Sequence, residues 1–220
     1  MEPVNKVKIE WSPKFAYAIG LISTDGYLSK DKRHINFTSK DLELIKSFRE
    51  CLGLNNSIGR KSRAQEKEKK YFQVQFGDVV FYRFLQKIGL TTKKSNTLGM
   101  VKIPGDFFFD FLRGLFDGDG TFYSYWDPRW KSSYMFYTSF VSASKKHILW
   151  LREKLDKLVG ISGHVTKSGR RSIYQLKYAK SESLKLLPLI YYDDNVPCLE
   201  RKRIKIEKAL DVVHFCIGRG

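Results

Sequence analysis

Cysteine is scarce in this chain, and the three present are not arranged for any joint task. Cys51, Cys198 and Cys216 are scattered, odd in number and without CxxC spacing. That excludes a disulfide framework and a cysteine-built zinc site, and it fits a reducing interior. Long apolar runs are missing as well. No stretch approaches the roughly 18 consecutive apolar residues of a membrane span, and the opening segment MEPVNKVKIEWSPKFAY lacks the continuous apolar core of a signal peptide. Acidic residues are in short supply: 23 Asp and Glu against 40 Lys and Arg give a formal charge of +17 and a pI of about 9.7. The chain therefore reads as soluble and intracellular, with no membrane partner. Its basic excess points to a polyanion, because each phosphate neutralised releases condensed counterions.

What the chain does have is a repeat. Residues 18–26 read AIGLISTDG and residues 112–120 read LRGLFDGDG, apolar patterns with a glycine third and Asp-Gly last, offset by 119 − 25 = 94 residues. At 220 residues and 42% hydrophobic, the chain can bury one core or two packed halves. Pro104 marks the boundary, giving halves 1–104 and 105–220. In each half the sequence predicts the same order. A helix (from near residue 14, and after Pro104-Gly105) leads into a hairpin rich in β-branched and aromatic residues, with loops at Ser29–Lys32 and Trp126–Lys131. A second helix follows, DLELIKSFRECLGL or KKHILWLREKLDKLVGI, ending in a Gly-apolar C-cap. A second hairpin carries YFQVQFGD or IYQLKYAK, alternating apolar with polar. The half closes with a helix, a loop bearing a basic pair (Lys93-Lys94 or Arg201-Lys202) and another helix. The fold class is α+β, built from two αββαββα halves.

The repeated segment has two physical properties. Gly20 with Thr24, and Gly114 with Gly118, are small residues four apart, so each pair lies on one helix face and lets two helix backbones approach. Asp25 and Asp119 sit at helix C-termini, where the macrodipole already disfavours negative charge by a few tenths to about 1 kcal/mol. Alone, each Asp is an ordinary turn residue. Brought together by helix packing they repel, and a divalent cation resolves the conflict. Oxygen-only ligands suit Mg²⁺, which uses one or two carboxylates plus substrate phosphates.

The two segments closely resemble the motif of the LAGLIDADG homing endonucleases in their single-chain, two-motif form. Gly114, Leu115, Asp117, Asp119 and Gly120 stand in place in the second copy; the first keeps Gly20, Leu21, Ile22, Asp25 and Gly26 but has Ser23 and Thr24. The resemblance implies pseudo-symmetric halves meeting at the motif helices, with two saddle-shaped antiparallel sheets laid along the DNA major groove. It implies a site-specific double-strand DNA endonuclease, Mg²⁺-dependent, with Mn²⁺ substituting and Ca²⁺ binding without efficient cleavage. Asp25 and Asp119 would bind metal, and 3′-overhang staggered ends would result. It further implies a monomer, intron-encoded, acting on genomic DNA in a bacterial cytoplasm, nucleoid or organelle. Lys94 and Lys202 best match the family's peripheral basic residues that stabilise the phosphorane, with ordinary phosphate contact as their plainer role. Two rivals on the same scaffold stay open: an RNA-splicing maturase bound to intron RNA, and a non-catalytic DNA-binding regulator.

Strand alternation assigns the DNA face. Gln73, Gln75, Arg171, Gln175 and Lys177 point at the groove, with Arg33, His34, Asn36 and Thr38 on the first hairpin and some of Tyr123, Tyr125, Tyr137 and Ser139 on the third. Gln73 and Gln175 read bases or organise water, with base contact favoured. The loop residues Arg60, Lys61, Arg63, Lys145, Lys167 and Arg170 are expected on phosphates. His34, His147, His164 and His214 recur at no common position and read as surface or DNA-facing residues. Because Gln75 matches Lys177, and most such pairs differ, the target should be asymmetric.

Overall fold

Helix-forming and strand-forming segments alternate twice along the chain. The computed structural model describes residues 5–62, 68, 70–92, 94–130, 132–168 and 173–217; the side chains at 94–95 and 214–217 fall outside that description. The first run holds α1 (Pro13–Asp25), β1 (Gly26–Leu28), β2 (His34–Ser39), α2 (Leu42–Cys51), β3 (Gly59–Lys61), β4 (Tyr71–Gly77), α3 (Val79–Lys87) and the single turn α4 (Lys94–Thr97). After a 3₁₀ turn at Gly105–Phe107, the second holds α5 (Phe108–Asp119), β5 (Thr121–Trp126), β6 (Tyr134–Ser142), α6 (Lys145–Val159), β7 (His164–Lys167), β8 (Tyr174–Tyr178), α7 (Lys180–Ile190) and α8 (Glu200–Ile217). The expected αββαββα order is present in each run. Both sheets are antiparallel and share one order, β1-β2-β4-β3 and β5-β6-β8-β7.

Local chemistry sets the helix ends. Ser12 Oγ accepts from the Phe15 amide at 3.2 Å, and Pro13 fills the first helical position, where its missing N–H costs nothing. Gly53 and Gly160 end α2 and α6 at φ +62° and +68°, and the apolar residues after them, Leu54 and Ile161, are buried. Asp78 is fully buried and accepts three backbone amides: Phe81 at 2.8 Å, which caps α3, and Lys6 and Val7 at 2.6 and 2.9 Å. The N-terminal segment is thereby pinned to the first sheet. Asp78→Ala strands those donors and should cost about 2–4 kcal/mol in chemical denaturation.

Strand periodicity builds the core. Ile35 and Phe37 on β2 and Val74 and Phe76 on β4 face Leu44, Ile45 and Phe48 of α2, with the Phe37 and Phe48 rings 4.4 Å apart. In the second sheet Phe136, Phe140, Leu176 and Tyr178 face α6, which buries Ile148, Leu151 and Leu155. Each such side chain contributes about 1.5–3 kcal/mol. Two basic segments differ from expectation. Arg60 and Lys61 form an edge strand paired to β4, and Arg201 and Lys202 belong to the first turn of α8. Among the described residues no helix is long and apolar enough to cross a membrane.

Candidate metal centre and nucleic-acid face

The two motif helices, α1 and α5, pack backbone to backbone. A Cβ on Gly20 would lie 2.2 Å from the Phe111 carbonyl oxygen, and one on Gly114 would lie 2.2 Å from that of Tyr17. One turn on, a Cβ on Gly118 would meet Thr24 Oγ1 at 2.1 Å. Gly20 faces Gly114, and Thr24 faces Gly118, so the helices end side by side. The next residue of each is an exposed aspartate, Asp25 and Asp119.

Asp25 lines a cavity of about 250 Å³ with Thr38, Lys61, Ser62 and Tyr71. Asp119 lines one of about 430 Å³ with the following Gly120 and Thr121 and with Arg201, Lys202 and Lys205. Lys202 senses both aspartates as well as Asp117, so one ammonium sits within the field of all three carboxylates. Its Nζ donates to the carbonyls of Phe116, Asp117 and Gly120 at 2.6, 3.0 and 2.7 Å. A cation at those orphan carbonyls offsets the negative end of α5. Burial pushes the Lys202 ammonium down to about 8 despite the neighbouring acids. Arg201 bonds Asp41 at 2.9 Å and Lys205 the Phe122 carbonyl at 2.9 Å, so these cations are anchored too.

Asp117, the earlier acid of the second motif, does different work from Asp119. It is buried and accepts from Tyr17 Oη at 2.8 Å, Tyr191 Oη at 3.2 Å and the Leu199 amide at 2.7 Å. Burial pushes its carboxyl up, while Lys202 and those donors favour the charge. Its partners fix where α8 begins and so where Lys202 stands. Ser23 holds the equivalent place in α1 and donates to the Ile19 carbonyl at 2.8 Å. Tyr17→Phe removes one donor from Asp117 and should cost about 1–1.5 kcal/mol in denaturant unfolding.

Next to Asp117, Arg113 is wholly buried. It donates to Asp110 at 2.6 Å and to the carbonyls of Ile190 and Pro197 at 2.9 and 2.8 Å. Neither this group nor the Asp117 cluster was legible in the sequence, because bonded partners lie as much as 84 and 100 residues apart.

Asp25 and Asp119 offer hard oxygen donors, and among the described residues no three His, Cys, Asp or Glu cluster for a metal. That donor set fits Mg²⁺, whose shell is completed by phosphate and water, rather than a protein-caged zinc.

The strand register divides the sheet residues by face. Tyr27, Asn36 and Gln75 form one cross-strand row on the face away from the helices, and Thr38 with Gln73 forms the next. The matching rows of the second sheet are Thr121, Ser139, Lys177 and His164, then Val141, Gln175 and Thr166. Gln75 is exposed, and His34, Asn36, Thr38, Gln73, Gln175 and Lys177 are half-buried. Tyr123 and Tyr137 stack at 5.1 Å beside Tyr125, and the Lys177 ammonium lies 4.8 Å over the Tyr137 ring. Lys61 opposes Tyr71 on this same face.

Arg60 and Lys167 are on the other face, at the sheet edges. Each places its cation over an aromatic ring, Phe72 at 5.0 Å and Tyr174 at 5.8 Å. Lys145 is exposed in the first turn of α6, and Arg33 in the turn before β2. Arg63, Arg170 and Arg171, and the side chains of Lys94 and His214, lie outside the described residues. His147 is buried, against the surface placement expected of it. Its Nδ1 donates to the Gly99 carbonyl at 2.8 Å and its ring packs on Trp150. Its position on the Leu151–Leu155 stripe of α6 was the available signal.

Residues 12–89 match the family model of the LAGLIDADG-like domain. The sequence matches no curated protein. Among solved structures, the I-LtrWI LAGLIDADG homing endonuclease bound to target DNA aligns with a TM-score of 0.59 at 12% identity, over 90% of this chain and 89% of that one. The meganuclease I-SmaMI bound to uncleavable DNA gives 0.58 at 14% identity, over 94% and 91%. Full-length DUF199/WhiA from Thermatoga maritima gives 0.55 at 16% identity, over 98% of this chain and 70% of that one. The fold therefore also occurs outside proteins named as nucleases. This chain thus resembles the LAGLIDADG-like domain over residues 12–89 and has, over nearly its whole length, the fold of the solved LAGLIDADG homing endonucleases.

Proposed function

We propose that the protein is a monomeric, divalent-metal-dependent, site-specific double-strand DNA endonuclease of the homing type, its halves 1–104 and 105–220 each serving one side of an asymmetric target. The observation that carries this reading is the side-by-side ending of α1 and α5, with both Asp25 and Asp119 in the field of one half-buried lysine, Lys202. The DNA-bound relatives of the same fold support a duplex as the polyanion that the +17 charge calls for.

Asp25 and Asp119 hold the cation, and Mg²⁺ when bound supplies positive charge to the scissile phosphate and makes water a stronger nucleophile at neutral pH. Lys202 neutralises the end of α5 and adds its field to that of the metal at the phosphate. Among the described residues no side chain at the site is placed as a general base, so water takes up the proton. The polar rows of the two sheets set the register on the duplex: Asn36, Gln73 and Gln75 suit adenine, and Lys177 suits guanine O6 and N7. Because the rows differ, the target is not a palindrome. The resemblance to the homing endonucleases implies cleavage across the minor groove and staggered ends with 3′ overhangs.

Cleavage selection from a randomised duplex pool tests the proposal. With Mg²⁺ or Mn²⁺ a single long, asymmetric family of cut sequences should emerge, and with Ca²⁺ the same family should be bound but largely uncut. A protein that cuts no member yet binds intron RNA tightly is a maturase, and one that binds duplex without cutting is a regulator. Either result ends the nuclease reading.

A further inference from the structure

The surroundings of Asp25 and Asp119 are not copies of one another. Beside Asp25 the cavity is lined by the basic residue Lys61 and by three hydroxyl-bearing residues, Thr38, Ser62 and Tyr71, and Lys40 Nζ lies 5.3 Å over the Tyr71 ring. Lys61 and Tyr71 face each other across the β3–β4 ladder. The second sheet shows what stands in their place. Gly59 and Thr166 oppose the matching glutamines Gln73 and Gln175, and Arg60 and Lys167 oppose Phe72 and Tyr174. The next pair outward is therefore Ser168 with Ile173, joined by a 2.8 Å backbone bond. Neither side chain carries a positive charge, and Ile173 has no donor at all. Around Asp119 the cations come instead from α8, already engaged with Asp41 and with backbone carbonyls.

A basic residue and several hydroxyl-bearing residues lining one cavity with a carboxylate suit a phosphodiester, whose non-bridging oxygens take such donors while the acid would hold a cation. We infer that Lys61 and the Tyr71 hydroxyl hold the scissile phosphate of the DNA strand served by Asp25, a contact with no counterpart at the matching pair Ser168 and Ile173 among the described residues of the second half. The two strands are therefore cut by chemically different sites. This inference rests on the nuclease reading above, but part of its test does not.

The experiment uses the full-length protein with Lys61→Ala and with Tyr71→Phe, on a duplex labelled differently on each strand. The Asp25 strand is identified as the one that Asp25→Asn slows more. Each variant should slow that strand about tenfold or more, the effect of losing one donor to a transition-state oxyanion. The other strand should stay within about twofold, so that singly nicked duplex accumulates. Independently of cleavage, Lys61→Ala should lower the slope of log affinity against log salt by about one, one phosphate contact fewer. Equal slowing of both strands, or no slowing, overturns the strand assignment. An unchanged salt slope overturns the phosphate contact. If no duplex is cut at all, the nuclease reading fails and the salt slope alone decides whether Lys61 binds phosphate.

Discussion

If the proposed nuclease reading holds, Asp119→Asn is expected to lower double-strand cleavage by about a thousandfold or more while leaving the melting temperature where it was or slightly higher, and Asp25→Asn is expected to do the same. The amide keeps the shape of the carboxylate and loses the charge that would hold a cation. Both aspartates are exposed at the C-terminal ends of helices, where the helix dipole disfavours their charge. An anion in that position costs a few tenths to about 1 kcal/mol, partly offset at Asp119 by Lys202. Strand-resolved cleavage with Mg²⁺, measured beside a thermal melt without metal, checks both halves of the statement. Full activity in either variant, or loss of activity only together with the fold, would sink the metal assignment. Asp117 is the internal contrast. With three donors on its buried carboxylate, its removal shows first as lost stability.

Gly114→Ala has the largest expected effect on folding. The new methyl group would lie 2.2 Å from the Tyr17 carbonyl oxygen and 2.9 Å from the Gly20 Cα. Both are backbone atoms inside a helix that is buried from Phe15 to Ser23, so neither can step aside. The helices must separate, and the expected loss is about 4 kcal/mol or more, seen as absence of a cooperative transition or as aggregation on expression. Gly118→Ala should be milder, about 1–2 kcal/mol, because the obstructing atom is the Thr24 hydroxyl, a side chain that can rotate. A Gly114 variant as stable as the parent would mean that the backbones do not meet there.

The elements most legible in the sequence were those whose pattern is local. The αββαββα order, the Pro13 and Gly160 helix ends and the alternation of Gln73 and Gln75 with Val74 and Phe76 need only neighbouring residues to be read. Tyr71 shares the period of those glutamines, so its place on the polar face was readable, though not its closeness to Asp25. Arg60 and Lys61 read as a loop in the sequence because the three residues of GRK carry no apolar alternation; only the β4 backbone beside them makes them a strand. Arg201 and Lys202 were placed before the last helix rather than in it, because the start of α8 is fixed by Asp117, 82 residues upstream of the Leu199 amide it accepts. Lys202 as a helix cap was hidden for the same reason: its three acceptors are carbonyls that no side-chain pattern reveals.

The Tyr17–Asp117 hydrogen bond crosses from one motif helix to the other. Cut the chain in two, and the first fragment keeps a phenol without its acceptor while the second keeps a buried carboxylate short of a donor. Each would also bare a helix flank whose glycines have no other use. The two runs are thus repeats in architecture without being independent modules, and unfolding should be a single transition. Anyone recombining such halves from different relatives would have to move the tyrosine and the aspartate as a matched pair.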